Sequence, residues 1–232
     1  AGADVNIMGY ATAGHGIYLN IGSITSSNGN VTLSGYTSSA TTTDYGIYSI
    51  SRAVSAVNGS VTFQGSKLDT VTTLANAVSN VASGNPAPYF AVADSANPAS
   101  AATTGVNWTG TVAANTTSGY ISIKAKAPSI TGTMTAYGLA LLSNNQSYTL
   151  NSASNAISSL AANIGTGSLS FTTTSVLNIG TYNGTTGITA ASVTLSAGGL
   201  TDTSDAGITV TSSSSIAITN ASGSYDFSGV IA

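Results

Sequence analysis

The chain has 232 residues and a net charge of −3 from four basic residues and seven acidic ones, all of them Asp, and it has no Cys. Four cations cannot neutralise a phosphate backbone, which excludes nucleic-acid binding, and no apolar run reaches the roughly 18 to 20 residues of a membrane helix, so no membrane insertion is expected. Hydrophobic residues at 42% and only four Pro exclude collagen and disordered linkers, while 72 Ser and Thr and 26 Gly leave backbone stacking to carry the fold.

The composition keeps one character throughout, so residues 1–232 read as one domain. The chain opens at Ala1-Gly2 without Met, which suggests a processed chain or an excised segment. Val5 to Met8 offers a first short strand. Residues 16–35 (GIYLNIGSITSSNGNVTLSG) and 46–65 (GIYSISRAVSAVNGSVTFQG) then repeat at an offset of 30, matching at Gly16/Gly46, Ile17/Ile47, Tyr18/Tyr48, Asn28/Asn58, Gly29/Gly59, Val31/Val61, Thr32/Thr62 and Gly35/Gly65. Each unit holds three short apolar runs, near 17–19, 24–25 and 31–33 in the first, separated by Asn-Gly or small residues. Such self-similarity marks a repeat architecture.

Residues 66–118 interrupt the pattern. Leu68, Val71, Leu74, Ala75, Val78, Val81 and Ala82 fall on one helical face, which predicts a helix near 67–83. Pro86, Pro88 and Pro98 mark the rest of this segment as an irregular surface excursion. Ile121 to Ile123 returns to the last run of the unit, and Tyr137 to Leu141 echoes its first run. Ala153, Ala156, Ile157, Leu160, Ala161 and Ile164 predict a second helical insertion near 152–164. Beyond it, short strands are expected at 169–171, 176–179, 193–195, 208–210, 216–218 and 225–227, with Gly, Ser, Thr and Asn between them.

The inward candidates are Ile, Val, Leu and Ala, which suit a narrow stack of coils about 4.8 Å apart better than a sandwich with large facing side chains. Stacking places equal positions above one another. Like charges would then form repulsive columns, whereas Thr, Ser and Asn can form hydrogen-bonded ladders. The expected fold is all-β: a parallel β-helix (β-solenoid) of about eight to ten coils with two short helical insertions.

The units GIYLN…NGNVTLSG and GIYSI…NGSVTFQG resemble the degenerate repeats of filamentous-haemagglutinin-type and high-molecular-weight-type adhesins, large bacterial exoproteins exported by two-partner secretion. The likeness covers about residues 5–65, extends in weaker form over 119–232 and is absent from 66–118. It implies a right-handed coil, an extracellular or cell-surface location, and a part in attachment or biofilm structure. No catalytic residue carries over, since the resemblance supplies none.

Candidate chemistry is sparse. His15 is the only histidine and sits between Gly14 and Gly16, as an exposed turn residue does; nothing near it completes a triad or metal site. Asp202 and Asp205 have oxygen donors for Ca²⁺ but no calcium-loop spacing, and they read as a solvated turn. The scattered Asp argue against glycan cleavage, and the scattered Thr runs against an ice-binding lattice. No enzyme activity, cofactor or metal is expected. Lys124 and Lys126 share one strand face, fit either to meet an anionic glycan or to protect a sheet edge. Trp108 and Tyr89 fall in the excursion, available for sugar stacking or for anchoring a loop. Val5, Ile7, Tyr225, Phe227 and Val230 lie in the candidate end strands, through which copies could pair end to end. The expected function is a rigid adhesive stalk whose partner is a host or neighbouring-cell surface or glycan. The alternative is a self-assembling filament subunit.

Overall fold

In the computed structural model the described residues are 3–11, 13–37, 43–67, 106–125, 129–142, 145–202, 206–211, 216–220 and 225–227. All regular structure among them is β. The first three units are β1 (Val5–Ala11); β2 (Ile17–Leu19), β3 (Ile24–Ser26) and β4 (Val31–Thr37); and β5 (Ile47–Ile50), β6 (Val54–Ala56) and β7 (Val61–Lys67). There follow β8 (Val106–Thr109), β9 (Val112–Ala113), β10 (Tyr120–Ala125), β11 (Ser129–Ile130), β12 (Met134–Leu141), β13 (Tyr148–Leu150) and β14 (Ala156–Asn163). The later strands are β15 (Ser168–Thr172), β16 (Val176–Ile179), β17 (Thr181–Tyr182), β18 (Thr185–Thr186), β19 (Ile188–Ala190), β20 (Ser192–Ala197), β21 (Gly199–Asp202), β22 (Ile208–Val210), β23 (Ile216–Asn220) and β24 (Tyr225–Phe227).

Parallel neighbours cannot be joined by a tight turn, so the chain must travel away and return between them. It does so by laying strands in other faces on the way. The largest sheet runs β1-β4-β7-β10-β12-β14-β16-β21-β24, with β3-β6-β9 joining it at β12 and β19-β22 at β14; β2-β5-β8-β11 and β13-β15-β20-β23 form two more sheets. Nine strands along the main path at about 4.8 Å spacing span roughly 40 Å.

The offset of 30 is the pairing register itself. Ile17 lies beside Ile47 and Tyr18 beside Tyr48, Ile24 beside Val54, and Val31 beside Val61 with Gly35 beside Gly65. Alternation then sorts the faces. Val31 and Leu33 are fully buried while Thr32 between them is not. The ladders form too: Asn58 Nδ2 donates to Asn28 Oδ1 at 2.9 Å, and Ser192 Oγ to Ser168 Oγ at 2.9 Å. At Gly35 a Cβ would run into the Gly46 carbonyl, because the neighbouring corner of the chain passes directly over it.

The helix predicted near 152–164 is instead β14. Its partner β12 shows why the pattern misleads: the core takes Met134, Ala136, Leu139 and Leu141 from β12, and Ile157, Leu160, Ala162 and Ile164 from β14 and its end. Ala136 pairs with Ile157 and Leu139 with Leu160. β12 changes face in mid-course, passing from β9 at Met134 and Thr135 to β10 from Gly138 onward, and β14 follows it, paired with β12 on both sides of that corner. The inward phase therefore slips by one residue at the corner. A step of three among steps of two, with Ala161 also buried, imitates helical spacing.

The helix predicted near 67–83 falls on residues outside the described set except Lys67, which ends β7. The irregular segment 66–118 is regular again from β8 onward, and β8 pairs with β5 in the sheet of the repeat. Ile121 to Ile123 stacks on Val61 to Phe63 as the repeat implies. Tyr137 to Leu141, read as a first run, lies in β12, where its Leu139 pairs with Ile121 in the last-run position. All six strands expected from 169 to 227 are present, as β15, β16, β20, β22, β23 and β24. No helix among the described residues is long and apolar enough to cross a membrane.

Candidate functional site

Outward residues of β1, β4, β7 and β10 line a groove of about 710 Å³ across the strands. Register organises its floor into two columns. Asn6, Thr32, Thr62 and Ser122 make one, and Met8, Ser34, Gln64 and Lys124 the other. The far side carries Leu142, Asn163 and the β17–β18 hairpin, whose Tyr182, Asn183 and Thr185 face the groove.

The hairpin is the single antiparallel pairing among the described strands, with Thr181 opposite Thr186 and Tyr182 opposite Thr185. Its two-residue turn has Asn183 at φ 46° and Gly184 at φ 83°. Both angles are left-handed, which favours Asn-Gly and suits the twist of a tight hairpin. Tyr182 stacks on Tyr120 with ring centroids 4.2 Å apart, and Tyr120 Oη lies 3.3 Å from Ser159 Oγ. A Cβ at Gly138 would strike the Tyr120 ring, so glycine there lets the phenol lie across the next strand. Burial, with Tyr120 nearby, raises the Tyr182 phenol above its ordinary value. The hairpin is thus docked as a wall.

A second feature lies on the β2–β5 face. Tyr18 and Tyr48 stack at 5.4 Å, and His15 stacks on Tyr45 at 5.5 Å with ring planes 2° apart. The Tyr45 backbone N–H donates to His15 Nδ1 at 3.0 Å, which places the proton of the neutral ring on Nε2. His15 is therefore a half-buried ladder member, contrary to its reading as an exposed turn residue. Burial lowers its pKa below the ordinary value, with Asp44 opposing. Tyr18 remains half exposed.

The expected contact residues separate. Lys124 lines the groove. Trp108 has no exposed surface and packs edge-on to Phe63 at 5.2 Å, so it is a core side chain of β8 and meets no external ligand. Its Nε1 is buried without a hydrogen-bond partner among the described residues. Tyr89, Lys126 and Val230 lie outside the described residues. Val5 and Ile7 pack partly on the core from β1, and Tyr225 and Phe227 pair with Leu200 and Asp202 from β24. β1 and β24 are the two ends of the main path.

Asp202 is buried and accepts from Ala206 N at 2.8 Å and Gly207 N at 3.0 Å. Its carboxylate is held by these two backbone N–H groups away from solvent, which corrects the reading of Asp202 as solvated, while Asp205 lies outside the described residues. Among the described residues no three His, Asp or Glu converge on a metal position. Sequence reasoning missed the groove columns and the tyrosine stack. Thr32/Thr62 and Tyr18/Tyr48 were visible as repeated positions, but the hairpin that makes the groove concave lies far off in sequence. Comparison of the chain with family models, curated proteins and solved structures returns no match.

Proposed function

We propose that the chain is a right-handed parallel β-solenoid that works as an adhesive segment at a bacterial cell surface, providing reach and contact without turnover. The observation that carries this reading is the in-register parallel stack over the nine strands of the main path. Every strand added to such a stack binds through backbone hydrogen bonds and a shared apolar interior, so length is gained without loss of stiffness. The low charge suits it, because stacked equal positions tolerate hydroxyls and amides better than ions. The likeness of residues 16–35 and 46–65 to adhesin repeats supports the same assignment. Beads coated with the chain should attach to host or bacterial cells in a saturable way, competed by free protein; attachment no greater than with albumin-coated beads defeats the reading.

A second reading, end-to-end assembly into a filament, is favoured by one observation. β1 and β24 end the main path, each with one described partner and a free backbone edge among the described strands. Light scattering over a concentration series checks it: growth beyond the mass of one chain, abolished by Ile7→Pro on β1, is expected if copies pair edge to edge.

A further inference from the structure

The polar side chains of the groove differ from those elsewhere on the outer surface. On the turn and ladder faces such groups satisfy one another, as Asn28 with Asn58 and Asn151 with Ser170. In the groove, Thr32, Thr62, Ser122 and Lys124 make no side-chain hydrogen bond among the described residues. Ser34 donates to Gln64 Oε1 at 3.2 Å, which leaves the Gln64 amide hydrogens for a ligand. Regularly spaced, unsatisfied hydroxyls and amides in a concave trough call for a ligand with a hydrogen-bonding group at every step.

The shape narrows the class. The groove crosses four strands, about 14 Å at the usual spacing, and its volume lies in the range of small-ligand sites. An extended peptide takes its hydrogen bonds from a sheet edge, whereas this trough crosses strand faces. Nucleic acid needs several cations, and Lys124 is the one charged residue among the described lining residues. Tyr182 and Leu142 add apolar surface, such as the faces of sugar rings cover. We infer that the groove binds an extended oligosaccharide running along the stack, with a carboxylate-bearing sugar at Lys124. This rests on the adhesive reading and names its partner class.

The test is calorimetric titration of the whole chain with cellohexaose, chitohexaose and hexamers of galacturonate and mannuronate. Saturable binding of an acidic hexamer is expected, weakened about tenfold by Thr62→Val, which removes one hydroxyl at nearly constant shape. Lys124→Met should erase the preference for acidic over neutral hexamers. Both variants should melt with the wild type, since the two positions face outward. Failure of all hexamers to bind below about 1 mM, or binding indifferent to both substitutions, overturns the inference. Beads coated with the two variants separate this from the function itself: attachment equal to wild type sinks the groove while the adhesive reading stands, and attachment lost only in the variants supports both.

Discussion

The repeated rungs of residues 16–65 and the corner around residues 134–175 reach the same architecture by different means. In the repeat, like stacks on like: Tyr18 on Tyr48, Asn28 beneath Asn58, Gly35 beside Gly65. At the corner like still meets like at Leu139 beside Leu160 and Ala140 beside Ala161, but there one side chain also joins three segments. The fully buried Asn155 accepts from Met134 N at 2.9 Å and donates to Leu150 O at 3.1 Å and Thr172 O at 3.0 Å. A ladder spreads stability over many weak contacts, each dispensable, while a hub concentrates it where the main sheet changes face.

The contrast breaks most sharply at the hub. Asn155→Leu would leave a buried N–H and two carbonyls without this partner, so a loss of about 3 to 5 kcal/mol is expected by urea denaturation. A loss below about 1 kcal/mol would show that the corner does not depend on it. Gly35→Ala comes next. Its methyl must displace the Gly46 backbone, at a cost of about 1 to 3 kcal/mol. Thr32→Ala, which only shortens an outward side chain, should stay within about 0.5 kcal/mol.

Smaller effects test the ladder. Tyr48→Ala removes the ring that contacts His15, Tyr18 and Tyr45, and should lower stability by about 1 to 2 kcal/mol in thermal melts. Asn58→Ala, at an exposed turn, should cost about 0.5 to 1 kcal/mol, and a cost equal to that at Asn155 would erase the distinction drawn between ladder and hub.

Acid gives the finest probe. The folded-state pKa of His15 is lowered, so its contribution is present above the unfolded value of 6.5 and is lost as pH falls through the lower folded value. Protonation of Nδ1 would also break the bond from Tyr45 N–H. The melting temperature of the wild type should therefore fall more than that of His15→Gln as pH drops below 6.5, and parallel curves would exclude a titrating ladder histidine.

Much of the fold was legible because stacking rewards repetition. An offset of 30 in Ile-Tyr and Val-Thr pairs becomes the strand register directly, and the separate runs after residue 168 could each be placed by alternation. The helix expected at 152–164 failed for a local reason, since alternation holds only while a strand keeps one face inward and β14 does not between Ile157 and Leu160. Trp108 was open to both sugar stacking and loop anchoring because its flanking sequence is irregular; β8 pairs in register with β5 and buries it, and Ser49 opposite Trp108 shows how little of that partnership the sequence displays.

The candidate site was less legible than the fold. Lys124 stood out by its charge, but its columnar neighbours Gln64, Ser34 and Met8 come from three other turns of the chain. The sequence by itself determined that the chain forms short β strands, stacks them at a 30-residue step in its first part and avoids charge, because these follow from side-chain periodicity and from like residues meeting across a ladder. Only the tertiary structure decided where the strands bend, that Asn155 holds the bend and that Tyr182 walls a groove beside Lys124. Those contacts join residues far apart in the chain, and no local pattern encodes which distant side chains will meet.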